Sequence, residues 1–153
     1  RGAGLVPFLG SARALRDHHR NLPDDQLVAI AAGGGVVCAN FFAPFLDDGH
    51  PTIDRLVDHL EHIAAVAGVE HTGIGPDFVQ EVIAETTPPC CTVTEVQGVP
   101  ADIYLPGLEG PRGLPLLTDA LLRRGWPEAD ILGVLGGNVQ RLFRRELGVP
   151  GGR

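Results

Sequence analysis

Between a triple glycine and an Asp-Asp-Gly turn lies the run Val36-Val37-Cys38-Ala39-Asn40-Phe41-Phe42, apolar at every position but Asn40. A run of this kind, without polar alternation, suits a strand covered on both faces, and strands are covered that way in parallel sheets flanked by helices. The flanking sequence supplies those helices. Pro23 followed by Asp24 and Asp25 marks a helix start, with the acidic pair placed at the positive end of the helix dipole. Gly33-Gly34-Gly35 stops that helix, so it is predicted over Asp24 to Ala32. Downstream, Ile53, Leu56, Val57, Leu60, Ile63, Ala64 and Ala67 recur at three and four and fall within an apolar stripe of about 120°. Gly68 ends that second helix, and His71 to Gly75 then forms a short strand running into Pro76-Asp77-Phe78.

The remaining segments extend the same alternation. Residues 5–9 read as a first short strand, and Ser11 to Asn21 as a charged connector. Residues 79–112 carry many prolines and little periodicity, which predicts a long loop with at most one short strand near Cys91 to Val96. Leu114 to Arg124 and Ala129 to Leu147 read as closing helices, the second interrupted around Gly136-Gly137. Strand alternating with helix is the signature of an α/β protein with a parallel sheet. The 153 residues form one domain. A complete eight-stranded barrel takes about 250 residues, so the chain is either a small open sheet or roughly the last three β/α units, plus terminal helices, of a TIM-like (β/α)8 barrel.

Composition excludes several function classes. A net charge of −7, with Arg123-Arg124 and Arg144-Arg145 as isolated pairs on helices, argues against nucleic acid as a partner. No apolar run approaches the roughly 20 residues of a membrane span, and the start is too short and too broken by Gly and Pro for a signal peptide. Three cysteines without a Cys-x-x-Cys spacing fit a reducing compartment, and the cytoplasm is the expected location.

Candidate chemistry is sparse. His59 and His62 sit on the second helix about 120° and about 180° from the first residue of its apolar stripe, so both are expected to face solvent rather than hold a metal. His18-His19, His50 and His71 are read as structural. Gly73-Ile74-Gly75-Pro76-Asp77-Phe78 lacks the third glycine and the following helix of a nucleotide loop. It does place the Asp77 carboxylate at the C-terminal end of a parallel strand, where α/β barrels carry catalytic groups. Arg20, after the first strand, is placed to present its planar fork over the same sheet end, in the manner of a carboxylate receptor. No Gly-x-Ser-x-Gly elbow is present, and neither Cys38 nor Cys90-Cys91 stands in a nucleophile signature.

Taken in order, five segments resemble the renal (membrane) dipeptidase family of zinc-dependent dipeptidases. They are Ser11-Ala12-Arg13-Ala14-Leu15, Arg20-Asn21-Leu22, Gly73-Ile74-Gly75-Pro76-Asp77-Phe78, Pro106-Gly107-Leu108-Glu109-Gly110, and Leu135-Gly136-Gly137-Asn138 with Arg141-Leu142-Phe143. The resemblance implies a barrel of the metal-dependent hydrolase type and hydrolysis of dipeptides by a hydroxide on two zinc ions. It implies substrate-carboxylate binding for Arg20, and substrate contact with proton transfer for Asp77. It covers about the C-terminal two-fifths of a family member, beyond the zinc ligands that lie earlier. The position of the last zinc histidine is held by Leu9, residues 1–10 depart from the family strand, and Val79 stands where the family continues with a second aspartate. No metal ligand is therefore expected in this chain, and as a partial barrel it is expected to be inactive alone, with self-association through its uncovered faces. The competing expectation is a non-catalytic dipeptidase-like protein that keeps only carboxylate binding through Arg20.

Overall fold

The computed structural model describes residues 8–49, 51–79, 85–92 and 103–148. Three short parallel strands run in the order β1 (Phe8–Leu9), β2 (Val37–Asn40) and β3 (Thr72–Gly75). Leu9 pairs with Cys38, and Cys38 with Gly73, so these three residues share one row across the sheet. All four residues of β2 are buried, the apolar Val37, Cys38 and Ala39 as the run predicts and the polar Asn40 with them.

Helix α1 occupies Asp24–Ala32 and α3 Ile53–Ala67, with a single turn, α2 (Ala43–Leu46), between β2 and α3. The Thr52 hydroxyl accepts the Arg55 N–H at 3.1 Å and caps α3. Leu27 of α1, Leu56, Val57, Leu60 and Ile63 of α3, and Leu117 and Leu121 of α4 (Leu114–Arg123) form the main core with Val37, Ala39 and Phe41. The helices therefore cover one face of the sheet. On the other face Val36 and Cys38 pack against Leu142, with Val139 beside them. Burial holds the Cys38 thiol up at about 11, an inert side chain at neutral pH.

The closing segment is α5 (Glu128–Leu132), a π-helical turn Gly133–Gly137, and α6 (Asn138–Leu147). Its helical path breaks at Gly136, within the expected interruption. The buried Asn138 amide donates to the carbonyls of Val69 and Thr72, both at 2.8 Å, and ties α6 to the root of β3.

Two expectations change. The 79–112 stretch is not loop throughout, because residues 85–86 are helical and Pro111–Gly113 forms a 3-10 turn. Residues 103–110 are loop without helix or strand, yet Ile103, Leu105 and Leu108 in it are buried and the Ile103 carbonyl accepts the Ala43 N–H at 2.9 Å. No strand occurs at Cys91–Thr92, while residues 93–96, like His50 and residues 5–7 of the first expected strand, lie outside the described residues. His59 is the second change: it is fully buried, not solvent-facing. Helix α3 lies between α1 and α4, so its buried sector is wider than the apolar stripe. The imidazole is tolerated inside because both ring nitrogens are paired, Nδ1 accepting the Ala12 N–H at 3.0 Å and Nε2 facing the Leu46 carbonyl at 3.1 Å. His62 is half-buried and meets Asp24 of α1 at 2.8 Å.

Candidate active site

Parallel strands bring their C-terminal ends to one rim, and here the rim carries Ser11 just after β1, Asn40 as the last residue of β2, and Asp77 just after β3. The Ser11 hydroxyl, fully buried, donates to the Asn40 carbonyl at 3.4 Å. The Asn40 side chain, 5% exposed, is used at both ends. Its oxygen accepts the Phe42 N–H at 2.7 Å, which fixes the amide orientation, and its nitrogen donates to Asp77 Oδ2 at 3.3 Å. The Asp77 carboxylate is thereby held at one oxygen and open to solvent at the rim.

The Asp77 backbone is in the left-handed region, φ 55°, a conformation that aspartate tolerates better than most residues. Tyr104 secures it: the phenol donates to the Asp77 carbonyl at 3.2 Å and accepts the Val79 N–H at 2.7 Å. Phe78 packs edge-on against Phe41 with centroids 5.9 Å apart. The segment after β3 is thus held by its main chain and its aromatic neighbours, leaving the carboxylate as its exposed group.

The connector after β1 is held from beneath. Beyond the two bonds of His59, Arg55 of α3 donates to the Leu15 carbonyl at 2.6 Å and the Leu46 carbonyl at 3.3 Å, and pairs with Asp47 at 3.2 Å. Asn21, nearly fully buried, donates to the carbonyls of Arg16 and Phe45 at 2.9 and 2.7 Å. The last carbonyls of the four-residue helix α2 would otherwise lack partners, and these side chains supply them. The result is a stapled loop that carries Arg20.

Arg20 itself is exposed, its guanidinium 6.0 Å from the Phe45 ring centre. Among the described residues no carboxylate forms an ion pair with it. The loop around it is cationic: desolvation, helped by the charges of His19, Arg16, Arg20 and Arg13, pushes the His18 imidazole below its ordinary range. An anion entering here meets a guanidinium free to bind it in bidentate fashion. Arg20 and Asp77 occupy the loops that follow β1 and β3, and no direct hydrogen bond or ion pair joins them among the described residues.

The donor set was also tested against a dinuclear metal centre. The rim offers one carboxylate, one amide and one hydroxyl, whereas zinc sites use histidine, cysteine and carboxylate ligands, at least three per catalytic ion. Among the described residues no group of three or more His, Cys, Asp or Glu is placed to hold a metal. Leu9, 49% exposed at the end of β1, lays its side chain where a Gly75 Cβ would otherwise stand. These residues do not fit a two-zinc centre.

Sequence reasoning singled out Arg20, Asp77 and Leu9 as positions of interest but assigned no supporting role to Asn40, Asn21, Arg55 or His59. One signal was available for Asn40, the single polar residue in the β2 run. The other three bond across the fold, and nothing local marks them.

The sequence pattern of the family described as membrane dipeptidase (peptidase family M19) matches residues 9–88 and 97–148. Dipeptidase verJ of Clonostachys rogersoniana is 31% identical over 133 residues, covering 87% of this chain and 29% of that protein. The crystal structure of dipeptidase AC, a family M19 metallopeptidase, superposes with a TM-score of 0.75 at 26% identity, over 96% of this chain and 39% of its own. A metallopeptidase of Rhodobacter sphaeroides, liganded with a phosphinate mimic of the dipeptide L-Ala-D-Ala, gives a TM-score of 0.74 at 26% identity, over 94% of this chain and 36% of its own. The chain thus spans well under half the length of these relatives, and its strands and helices take the place of a C-terminal portion of their TIM-like barrel.

Proposed function

The chain belongs to the membrane dipeptidase family, and on that premise we propose that it recognises dipeptides, with Arg20 taking the terminal carboxylate and Asp77 meeting the substrate beside it. The observation that carries this reading is the stapled, cationic loop that presents, after β1, a guanidinium with no ion-pair partner among the described residues. A carboxylate is the ligand that its planar fork matches. Asp77, held at one oxygen by Asn40 and exposed at the rim, is suited to accept a hydrogen bond from a substrate amine or to carry a proton.

Zinc-dependent hydrolysis is proposed for the complete family barrel. For these 153 residues the proposal is binding without turnover, because the rim donors do not fit the metal centre. Self-association through the uncovered faces of a partial barrel, and a cytoplasmic location suggested by three cysteines without a Cys-x-x-Cys spacing, are further parts of the reading. No helix among the described residues is long and apolar enough to cross a membrane.

Titration of the chain with an Ala-Ala or Gly-Leu dipeptide, followed by calorimetry, tests the reading. Saturable binding is expected, weakened about 10- to 100-fold in Arg20→Ala, since hydrogen bonds to charged groups contribute about 1.5–3 kcal/mol. The C-terminally amidated dipeptide should show the same loss. Equal affinity in Arg20→Ala would remove the carboxylate assignment. Two zinc ions per chain together with dipeptide turnover would overturn the non-catalytic part alone.

A further inference from the structure

The family pattern leaves residues 89–96 unmatched between its two stretches, and the adjacent pair Cys90-Cys91 falls in that gap. The dipeptidase frame therefore does not account for the pair. Its local structure is defined by a turn in which the Pro88 carbonyl accepts the Cys91 N–H at 3.0 Å. Pro89 occupies the second position, where its fixed φ suits the turn. Both cysteines are exposed, and their sulfurs lie 3.1 Å apart in a thiol–thiol hydrogen bond. That bond holds the Cys91 thiol above its ordinary range.

Two neighbouring thiols can close a disulfide or share a bridging atom. Adjacent Cα atoms are about 3.8 Å apart, short of the usual lower limit of about 4.4 Å for a disulfide, so a bond between neighbours is strained and readily reduced. A bridging atom removes the strain. Two bonds to sulfur of about 2.3 Å meeting near a right angle set the sulfurs roughly 3.2 Å apart, while a tetrahedral angle sets them roughly 3.8 Å apart. The observed spacing matches the right-angled, pyramidal case, which belongs to three-coordinate soft centres rather than to tetrahedral zinc. Soft thiolate ligands select such centres.

We propose that Cys90 and Cys91 form a two-thiol binding site for trivalent arsenicals. With phenylarsine oxide as the probe, two arsenic–sulfur bonds form and the two S–H bonds break. The oxide oxygen leaves as one water with both thiol protons, and arsenic stays trivalent, so no oxidant is needed.

The experiment titrates the chain with phenylarsine oxide in excess glutathione and reads the adduct by intact mass. One phenylarsenic unit per chain is expected, stable to the monothiol and released by a small dithiol. Cys90→Ser and Cys91→Ser should each weaken binding by about 10²–10⁴-fold, the usual gain from joining two contacts on one frame. Both side chains are exposed, so an unchanged unfolding midpoint in each variant shows that the loss reports the site and not the fold. Binding that survives in either single variant at parental affinity, or an adduct in the double variant on the buried Cys38, would overturn the assignment.

Discussion

The loop after β1 and the segment after β3 both bring a charged side chain to the rim of the sheet, yet they are held in opposite ways. The β1 loop is secured from the interior, by the buried His59 and Asn21 and the partly buried Arg55, which reach the main chain of residues 12–16 and of α2. The β3 segment is secured closer to the rim, by the buried Asn40 reaching out to the exposed carboxylate and by the half-buried Tyr104 on the backbone. Damage to the first kind of support should therefore cost stability, because buried backbone groups lose their partners. Damage to the second should mainly free the carboxylate, because water can replace what is lost.

The largest effect expected is at His59. His59→Ala leaves a cavity and strands the Ala12 N–H and the Leu46 carbonyl, a loss of about 3–5 kcal/mol, measurable by urea unfolding. A loss below about 1 kcal/mol would end the contrast between the two loops.

Acid should reproduce part of that loss without mutation. Burial pushes the folded-state His59 pKa down to about 4, below its ordinary 6.5. The neutral form is the folded one, so its full contribution is present above pH about 6.5 and is lost as pH falls towards about 4, at up to about 1.4 kcal/mol per unit. Unfolding midpoints recorded across that window should fall for the parent chain and flatten in His59→Ala.

Smaller effects belong to the β3 side. Asn40→Ala removes the acceptor of the Phe42 N–H and the donor to Asp77, and should lower stability by about 1–2 kcal/mol. Tyr104→Phe deletes one hydroxyl with one exposed and one part-buried partner and should lower it by about 0.5–1 kcal/mol. If Tyr104→Phe proves costlier than His59→Ala, the interior and surface supports have been assigned the wrong way round.

The same contrast separates what the sequence made legible from what it hid. Helices α1 and α3 fall within the bounds set by Pro23, Gly33 and Gly68, because periodicity and punctuation are local signals. The break in the closing helix at Gly136 was readable for the same reason. His59 was misread because an apolar stripe reports only apolar burial, and an imidazole with both nitrogens paired follows no such rule. Asn40 and Asp77 are 37 residues apart and Asn138 bonds Thr72 across 66, distances over which a sequence carries no pairing rule. Arg20 and Asp77 were legible as candidates from strand position, while the supports beneath Arg20 were not.

The packing of Leu9 against Gly75 bears on how this chain can change over generations. The two residues are a bump and its notch on non-adjacent strands: Leu9 lies in the row of Cys38, Gly75 in the row of Asn40, and the Leu9 side chain reaches across to the glycine beside Cys38. A side chain added at position 75 must displace the Leu9 side chain, whose flexible end fills that space and which is half-exposed, and would then press on Cys38. For as long as residue 75 stays glycine, position 9 keeps the space across the sheet end that its side chain now fills.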